Sequence, residues 1–259
     1  MKERIYTIPV SEAFRKDCEC PMCLLEKKLE EDALEYTLGP SMMEPDSRIE
    51  TNKKGFCSRH FARLYNLQKN RLALGLVIDT HLMEQNGVMK KMYDDYLPRI
   101  KKEASSGTME QAVQSLKKGK SQTVQFIQSL LDKLISMETS CTICEKINRN
   151  MEKFTDVILY LYFKEPDFRE IFHSKKGFCL KHIKKLLEGS LKYLNGGRRS
   201  EFVLTLMSME LIHLDRIKEE VNWFTQKFDY KNQDAPWNNS QDAIPRSIEK
   251  ITGPVDLIR

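Results

Sequence analysis

Cysteine and histidine at metal-ligand spacing carry the recognisable chemistry of this sequence. Cys20-Pro-Met-Cys23 is echoed by Cys141-Thr-Ile-Cys144, and Lys53-Lys-Gly-Phe-Cys57-Ser-Arg-His60 by Lys175-Lys-Gly-Phe-Cys179-Leu-Lys-His182. The shifts, from 20 to 141 and from 57 to 179, are 121 and 122 residues. Between the boxes Glu44-Pro45-Asp46-Ser47-Arg48 corresponds to Glu165-Pro166-Asp167-Phe168-Arg169, so three motifs recur in one order and read as an internal repeat. Three thiolates and one imidazole form a complete tetrahedral set for a d10 ion such as Zn2+. Taken in chain order, the boxes predict one Cys3His site per half: Cys20, Cys23, Cys57 and His60 in the first, Cys141, Cys144, Cys179 and His182 in the second. Four protein ligands leave no open coordination position, which is the pattern of a structural site rather than a catalytic one.

The elements around the boxes must bring the ligands together. The segment after Cys23 reads as a helix, which places that thiol near the positive end of the helix dipole, where thiolate is favoured. In Cys-x-x-His, residues i and i+3 share a helix face, and Gly55 or Gly177 permits the sharp entry into that helix. The ion would then clip two helix N-termini together. The paired lysines ahead of each Gly-Phe-Cys could offset the net negative charge of such a centre, and surface solvation accounts for them equally. Glu-Pro-Asp-x-Arg reads as a helix start, with Pro in the first turn and an acid beside it.

The competing readings are a core filled by buried cysteines and histidines, and an iron-sulfur cluster held by the same donors. Cys18 stands outside the pattern, because Thr139 occupies the equivalent position, and it reads as an inert thiol. Glu170-Ile-Phe-His173 and Glu210-Leu-Ile-His213 have the Glu-x-x-His spacing of di-iron bundles without the rest of that signature. His81 reads as a packed or exposed histidine. The methionines at 42, 43, 83, 89, 92, 207 and 209 read as core residues rather than soft-metal ligands. Neither a Gly-rich phosphate loop nor a nucleophile elbow is present in the sequence, so no catalytic residue is assigned.

The rest of the chain reads as helices. Thr108-Met-Glu-Gln111 fits a capping box ahead of an apolar series at Val113, Leu116, Val124, Ile127, Leu130, Leu131 and Leu134, with Gly119 a break. Long helical patterns run over 70–96 and 200–228, the second introduced by Asn195-Gly-Gly197. From Asp229 onward the pattern changes to Asn, Asp, Pro and Ser, with Trp237, Ile244 and Ile251 as isolated anchors. The expected fold class is all-α: two duplicated metal-pinned helical units packed as one helical array. Its divisions are 1–105, a linking helix over 106–138, 139–228, and an extended C-terminal arm over 229–259.

At 259 residues with 41% hydrophobic and 31% charged content, the chain can bury a real core. Its longest apolar runs fall far short of the ~20 residues of a membrane span. The N-terminus lacks the apolar segment of a signal peptide, so a cytoplasmic location is expected, where seven cysteines read as ligands or thiols before disulfides. The net charge of +5 is spread among nearly as many acids, which argues against dedicated nucleic-acid binding.

The run from Cys141 through His182 resembles an uncharacterised bacterial family, a domain of unknown function. The segment Cys20–His60 is similar to the same unit, and so is the tail from Lys227 through Gly253. The resemblance implies paired helical metal units and no established reaction. The function expected is therefore a zinc-binding interaction or regulatory module with a protein partner, a second copy of the chain included. Thiol or metal handling, as in sensing, delivery or redox switching, is the first alternative, and nucleic-acid binding the second.

Overall fold

The computed structural model describes residues 4–105 and 121–255, and among these it is all-helical with no strand. Among the described residues eleven α-helices run in order: α1 (Arg4–Arg15), α2 (Pro21–Thr37), α3 (Pro45–Lys54), α4 (Ser58–Asn66), α5 (Arg71–Ser105), α6 (Gln122–Thr139), α7 (Thr142–Lys164), α8 (Pro166–His173), α9 (Leu180–Tyr193), α10 (Gly196–Gln226) and α11 (Ala243–Thr252). Short 3-10 turns lie at Pro40–Met43 and Tyr230–Asn232. No described helix is long and apolar enough to cross a membrane. The capping box at Thr108–Gln111 and the positions Val113, Leu116 and Gly119 lie outside the described residues.

The chain divides into two compact units, one of residues up to Glu31 together with those from Ile147 onward, the other of Asp32–Lys146. This differs from the sequential division into 1–105, 106–138 and 139–228, because α2 and α7 each begin in one unit and end in the other. Helix α6, read from sequence as a linker, belongs to the second unit and packs against α5.

The Glu-Pro-Asp motifs are helix starts: Glu44 and Glu165 are extended N-cap residues, each followed by Pro in the first turn and an acid behind it. Such a Pro gives up only an N–H that has no intrahelical partner there. Asn195 caps α10 in the same extended conformation.

The first unit is built on an aromatic core. Phe14, Phe172, Phe178 and Phe202 are fully buried. Phe172 lies 5.9 Å from Phe14, 5.5 Å from Phe178 and 5.1 Å from Tyr162 between ring centres. Each such contact adds about 0.5–1.5 kcal/mol beyond the area it buries, and Phe178 directly precedes Cys179, so this core fixes the entry to one ligand pair. In the second unit α5 closes the end of α3. His81 Nδ1 donates to the Asn52 carbonyl at 2.8 Å, and Gln85 Nε2 donates to the carbonyls of Asn52 and Lys53 at 2.8 and 3.1 Å. These are carbonyls at a helix end, which require partners from outside the helix.

The C-terminal segment is not an extended arm. Lys227 donates to the carbonyls of Asn232, Gln233 and Ala235 at 2.6–2.7 Å and lies over the Trp237 ring, folding the chain back after α10. Helix α11 then packs on α9 and α10. Its apolar positions Ile244, Ile248 and Ile251 have helical spacing, but Pro245 masks it; Pro is tolerated here because it sits in the first turn.

Gly177 has φ +83°, and a Cβ there would lie 2.5 Å from Glu210 Oε2 and 2.9 Å from Lys250 Nζ. Gly196 has φ +45° with nothing within 4 Å of a Cβ. Gly196→Ala should therefore cost only the backbone term of about 1 kcal/mol, whereas Gly177→Ala should cost at least about 3 kcal/mol, as strain and overpacking add. Denaturant unfolding of the two variants side by side measures the difference.

Candidate metal centres

All eight predicted ligands fall into two groups, but the pairing is crosswise. Cys20 and Cys23 meet Cys179 and His182; Cys57 and His60 meet Cys141 and Cys144. Neither Cys-x-x-Cys closes with the Cys-x-x-His that comes next in the chain. Helix length supplies a reason. At 1.5 Å per residue, α2 and α7 carry the chain about 25 and 35 Å away from their own Cys-x-x-Cys. The returning helices α3 and α8 cover only about 15 and 12 Å, too little to bring the next box back. The crosswise groups each lie within one unit.

Every ligand pair occupies the same place on its helix. Cys57 and Cys179 are extended N-cap residues with ψ 164° and 156°, and His60 and His182 lie three residues on. Cys20 and Cys141 immediately precede α2 and α7, with Cys23 and Cys144 again three residues on. Each group is thus a meeting of two helix N-termini, each helix contributing its N-cap residue and the residue one turn later. Within the first group His182 Nδ1 is 3.4 Å from Cys20 Sγ, 3.4 Å from Cys23 Sγ and 3.0 Å from Cys179 Sγ. Within the second, His60 Nδ1 is 3.2 Å from Cys57 Sγ, 3.2 Å from Cys141 Sγ and 3.3 Å from Cys144 Sγ. Two sulfur pairs measure 3.5 Å (Cys23 with Cys179) and 3.8 Å (Cys57 with Cys144). The edges of a tetrahedron around one Zn2+ would be about 3.8 Å between sulfurs and about 3.6 Å between sulfur and nitrogen, from the usual bond lengths. The donors fit a single ion.

Electrostatics points the same way. Hydrogen bonds with Cys179 and Cys20, then burial, push the Cys23 thiol strongly up, while bonds from Cys20 and Cys23 pull Cys179 strongly down. Burial and the neighbouring Cys141 raise Cys144; burial opposes ionisation of Cys141 too, yet His60 and the Cys144 N–H hold it at about 6. Three thiols this close resist shedding all their protons unless a cation takes their place. A divalent ion with three thiolates carries −1, and two helix N-termini of roughly +0.5 each offset it.

Behind His182 stands a residue that the ligand spacing did not reveal. Glu26, one turn beyond Cys23 on α2 and 7% exposed, places Oε2 3.2 Å from His182 Nε2 and accepts a 2.6 Å bond from Lys181 through Oε1. Burial raises the Glu26 carboxyl, but His182 and Lys181 outweigh it and hold it at about 2; burial likewise disfavours charge on His182, and the thiols with Glu26 carry it to about 11. A carboxylate behind a ligating imidazole fixes ring orientation and strengthens the donor. The spacing Cys-x-x-Cys-x-x-Glu was the available signal; in the other group that position is Ile147.

The paired lysines turn to surface acids and carbonyls. Lys54 pairs with Glu50 and Glu145, Lys176 with Asp17, and Lys175 donates to the Lys16 carbonyl. Cys18 joins neither group, and burial and the adjacent Cys20 raise its thiol to about 11. The Glu-x-x-His pairs do not assemble: Glu210 bonds Lys250 and the Phe178 N–H, and His213 bonds Arg216.

Over residues 1–257 the chain matches the model of a family described as "Family of unknown function (DUF6062)". No curated protein and no solved structure matches it.

The pairing has a direct test in metal content per chain. Cys20→Ser with Cys179→Ser should leave one ion bound, and Cys20→Ser with Cys57→Ser should lose both; pairing within halves gives the reverse. Glu26→Gln should weaken the first group's affinity by about 10–100-fold and leave the second unchanged, as read by chelator competition.

Proposed function

We propose that this chain, which belongs to that family of unknown function, is a non-enzymatic interaction or regulatory module whose helices are held by two structural Zn2+ ions. The observation that carries the reading is closure: in each group four protein donors surround one point, leaving no coordination position for water or substrate. Thiolate-rich donor sets select zinc over hard cations such as Mg2+ and Ca2+. Donors all within 4.8 Å of one another suit one ion better than an iron-sulfur cluster, in which the ligands are divided among two or more iron atoms and the full set stands further apart. Reduced cysteines in both sites suit a reducing compartment such as the cytoplasm.

The alternatives find less support. A raised Cys18 thiol holds little thiolate at neutral pH, so it is a poor redox switch. Basic residues on α9 and at the start of α10 are engaged at home: Lys181 with Glu26, Lys184 with Glu188, Lys185 with Asn148, and Arg199 with the Ser190 and Leu191 carbonyls.

Elemental mass spectrometry of protein purified without added metal should give two zinc per chain with no visible absorption. Structural zinc binds with about 10–16 kcal/mol in small domains, comparable with the whole stability of about 5–15 kcal/mol of a folded protein, so chelation should collapse the helical circular dichroism. Iron with charge-transfer bands, or full helicity after complete metal removal, would overturn the reading.

A further inference from the structure

The two candidate metal groups differ in how their sulfurs meet solvent. In the first, Cys20 is 5% exposed and Cys179 is fully buried, which leaves Cys23 as its part-exposed cysteine. In the second, Cys141 is 2% exposed, but Cys57 and Cys144 are both part-exposed. Those two come from different helices, the N-cap of α4 and the third residue of α7, and their sulfurs are in contact at 3.8 Å. The first group has a sulfur pair as close, Cys23 with Cys179 at 3.5 Å, but one member of it is out of reach of solvent.

We propose that Cys57 and Cys144 are an oxidant-sensitive dithiol: hydrogen peroxide joins them in a disulfide and the second group releases its metal, while the first group keeps its own. Oxidation selects sulfurs that are thiolate, solvent-accessible and beside a resolving cysteine. A cation at the centre meets the first condition, since cysteines ligate it as thiolates, whereas Cys18 joins neither group and holds its proton. The geometry of the second group meets the other two. One thiolate attacks the peroxide and breaks its O–O bond; that sulfur becomes a sulfenic acid, and the displaced hydroxide takes up a proton as water. The second thiolate then attacks the same sulfur, forming the S–S bond and expelling the sulfenic hydroxyl, which leaves with a proton as a second water. The sulfur pair gives up two electrons and the peroxide gains both. Cys141 and His60 then remain as the group's free donors, short of the four that hold a structural ion. The new bond links the same two helix N-termini, so α4 and α7 stay joined while the ion departs.

The proposal rests on the reading of the chain as a module held by two zinc ions, and it adds a chemical signal that acts on one of them. Metal content before oxidation tests that reading, and the identity of the joined cysteines after oxidation tests this one, so the two fail separately. Hydrogen peroxide is added to the full zinc-loaded chain, zinc release is followed with a chromogenic chelator, and disulfides are located by peptide mass spectrometry. One zinc per chain should leave at least about tenfold faster than the other, together with formation of a Cys57–Cys144 bond, and dithiothreitol with added Zn2+ should restore both ions. Cys57→His, which keeps four donors in a Cys2His2 set, should hold both ions and lose the fast release. Cys18→Ser should leave the release unchanged. The mapping is done on the unsubstituted chain, so it stands even where a variant fails to fold. Release of both ions at one rate, a disulfide that leaves out Cys57 or Cys144, or retention of both ions with these thiols still reduced overturns the proposal.

Discussion

Three thiols gathered around one imidazole at two helix N-termini cannot all rest as thiolates without a cation among them, and much of the architecture comes from satisfying them. The helix dipoles and N-cap geometry make the termini suitable hosts for thiolate, but mutual repulsion keeps protons on some of the thiols of each group unless a cation takes their place. The neighbouring structure then has to hold the two helix ends at the separation that a single ion demands. It does so through Phe178, locked into the aromatic core one residue before Cys179, and through Gly55 and Gly177, whose positive φ turns the chain sharply into the next helix.

The two groups are supported by different means. Around Gly177 the long helix α10 supplies Glu210, which accepts from the Phe178 N–H at 2.8 Å and pairs with Lys250 of α11, both ions about 1% exposed. A buried ion pair gains little net stability over apolar packing, but removing either partner strands the other, so this pair specifies where α11 must dock. The backbone of Gly253, at the end of α11, lies against Cys179: a Cβ there would be 3.6 Å from its sulfur. Around Gly55 the ring of His81 takes the place that Glu210 holds in the other group, capping α3 from α5. In the first group Glu26 stands behind the histidine, whereas the residue at the same spacing after the second group's Cys-x-x-Cys is Ile147.

Charge elsewhere serves mainly to fasten helix to helix. Glu19 and Glu220, each with a side chain 12% exposed, bind Arg216 and Arg246 and tie the start of the chain to α10 and α11. Part-buried bidentate networks of this kind are worth more than isolated surface pairs. They occupy two arginines, Arg216 and Arg246, that composition alone would have left available for a polyanion.

The sequence by itself determined what acts over one helical turn. The cysteines and histidines that cluster, the placement of each pair at the start of a helix, the Glu-Pro-Asp helix starts and the all-helical class are all consequences of i to i+3 spacing and of capping chemistry, which need no knowledge of distant residues. Tertiary structure alone decided which pairs come together, because that depends on how far α2 and α7 carry the chain before α3 and α8 turn it back, and on which helix ends the core brings together. Glu26 was hidden for the same reason, since a carboxylate one turn beyond a cysteine has meaning only once His182 is known to face it. The C-terminal helix was hidden too: Pro245 and the polar residues around it conceal a short apolar stripe, and Lys250 finds its reason to be buried only against Glu210.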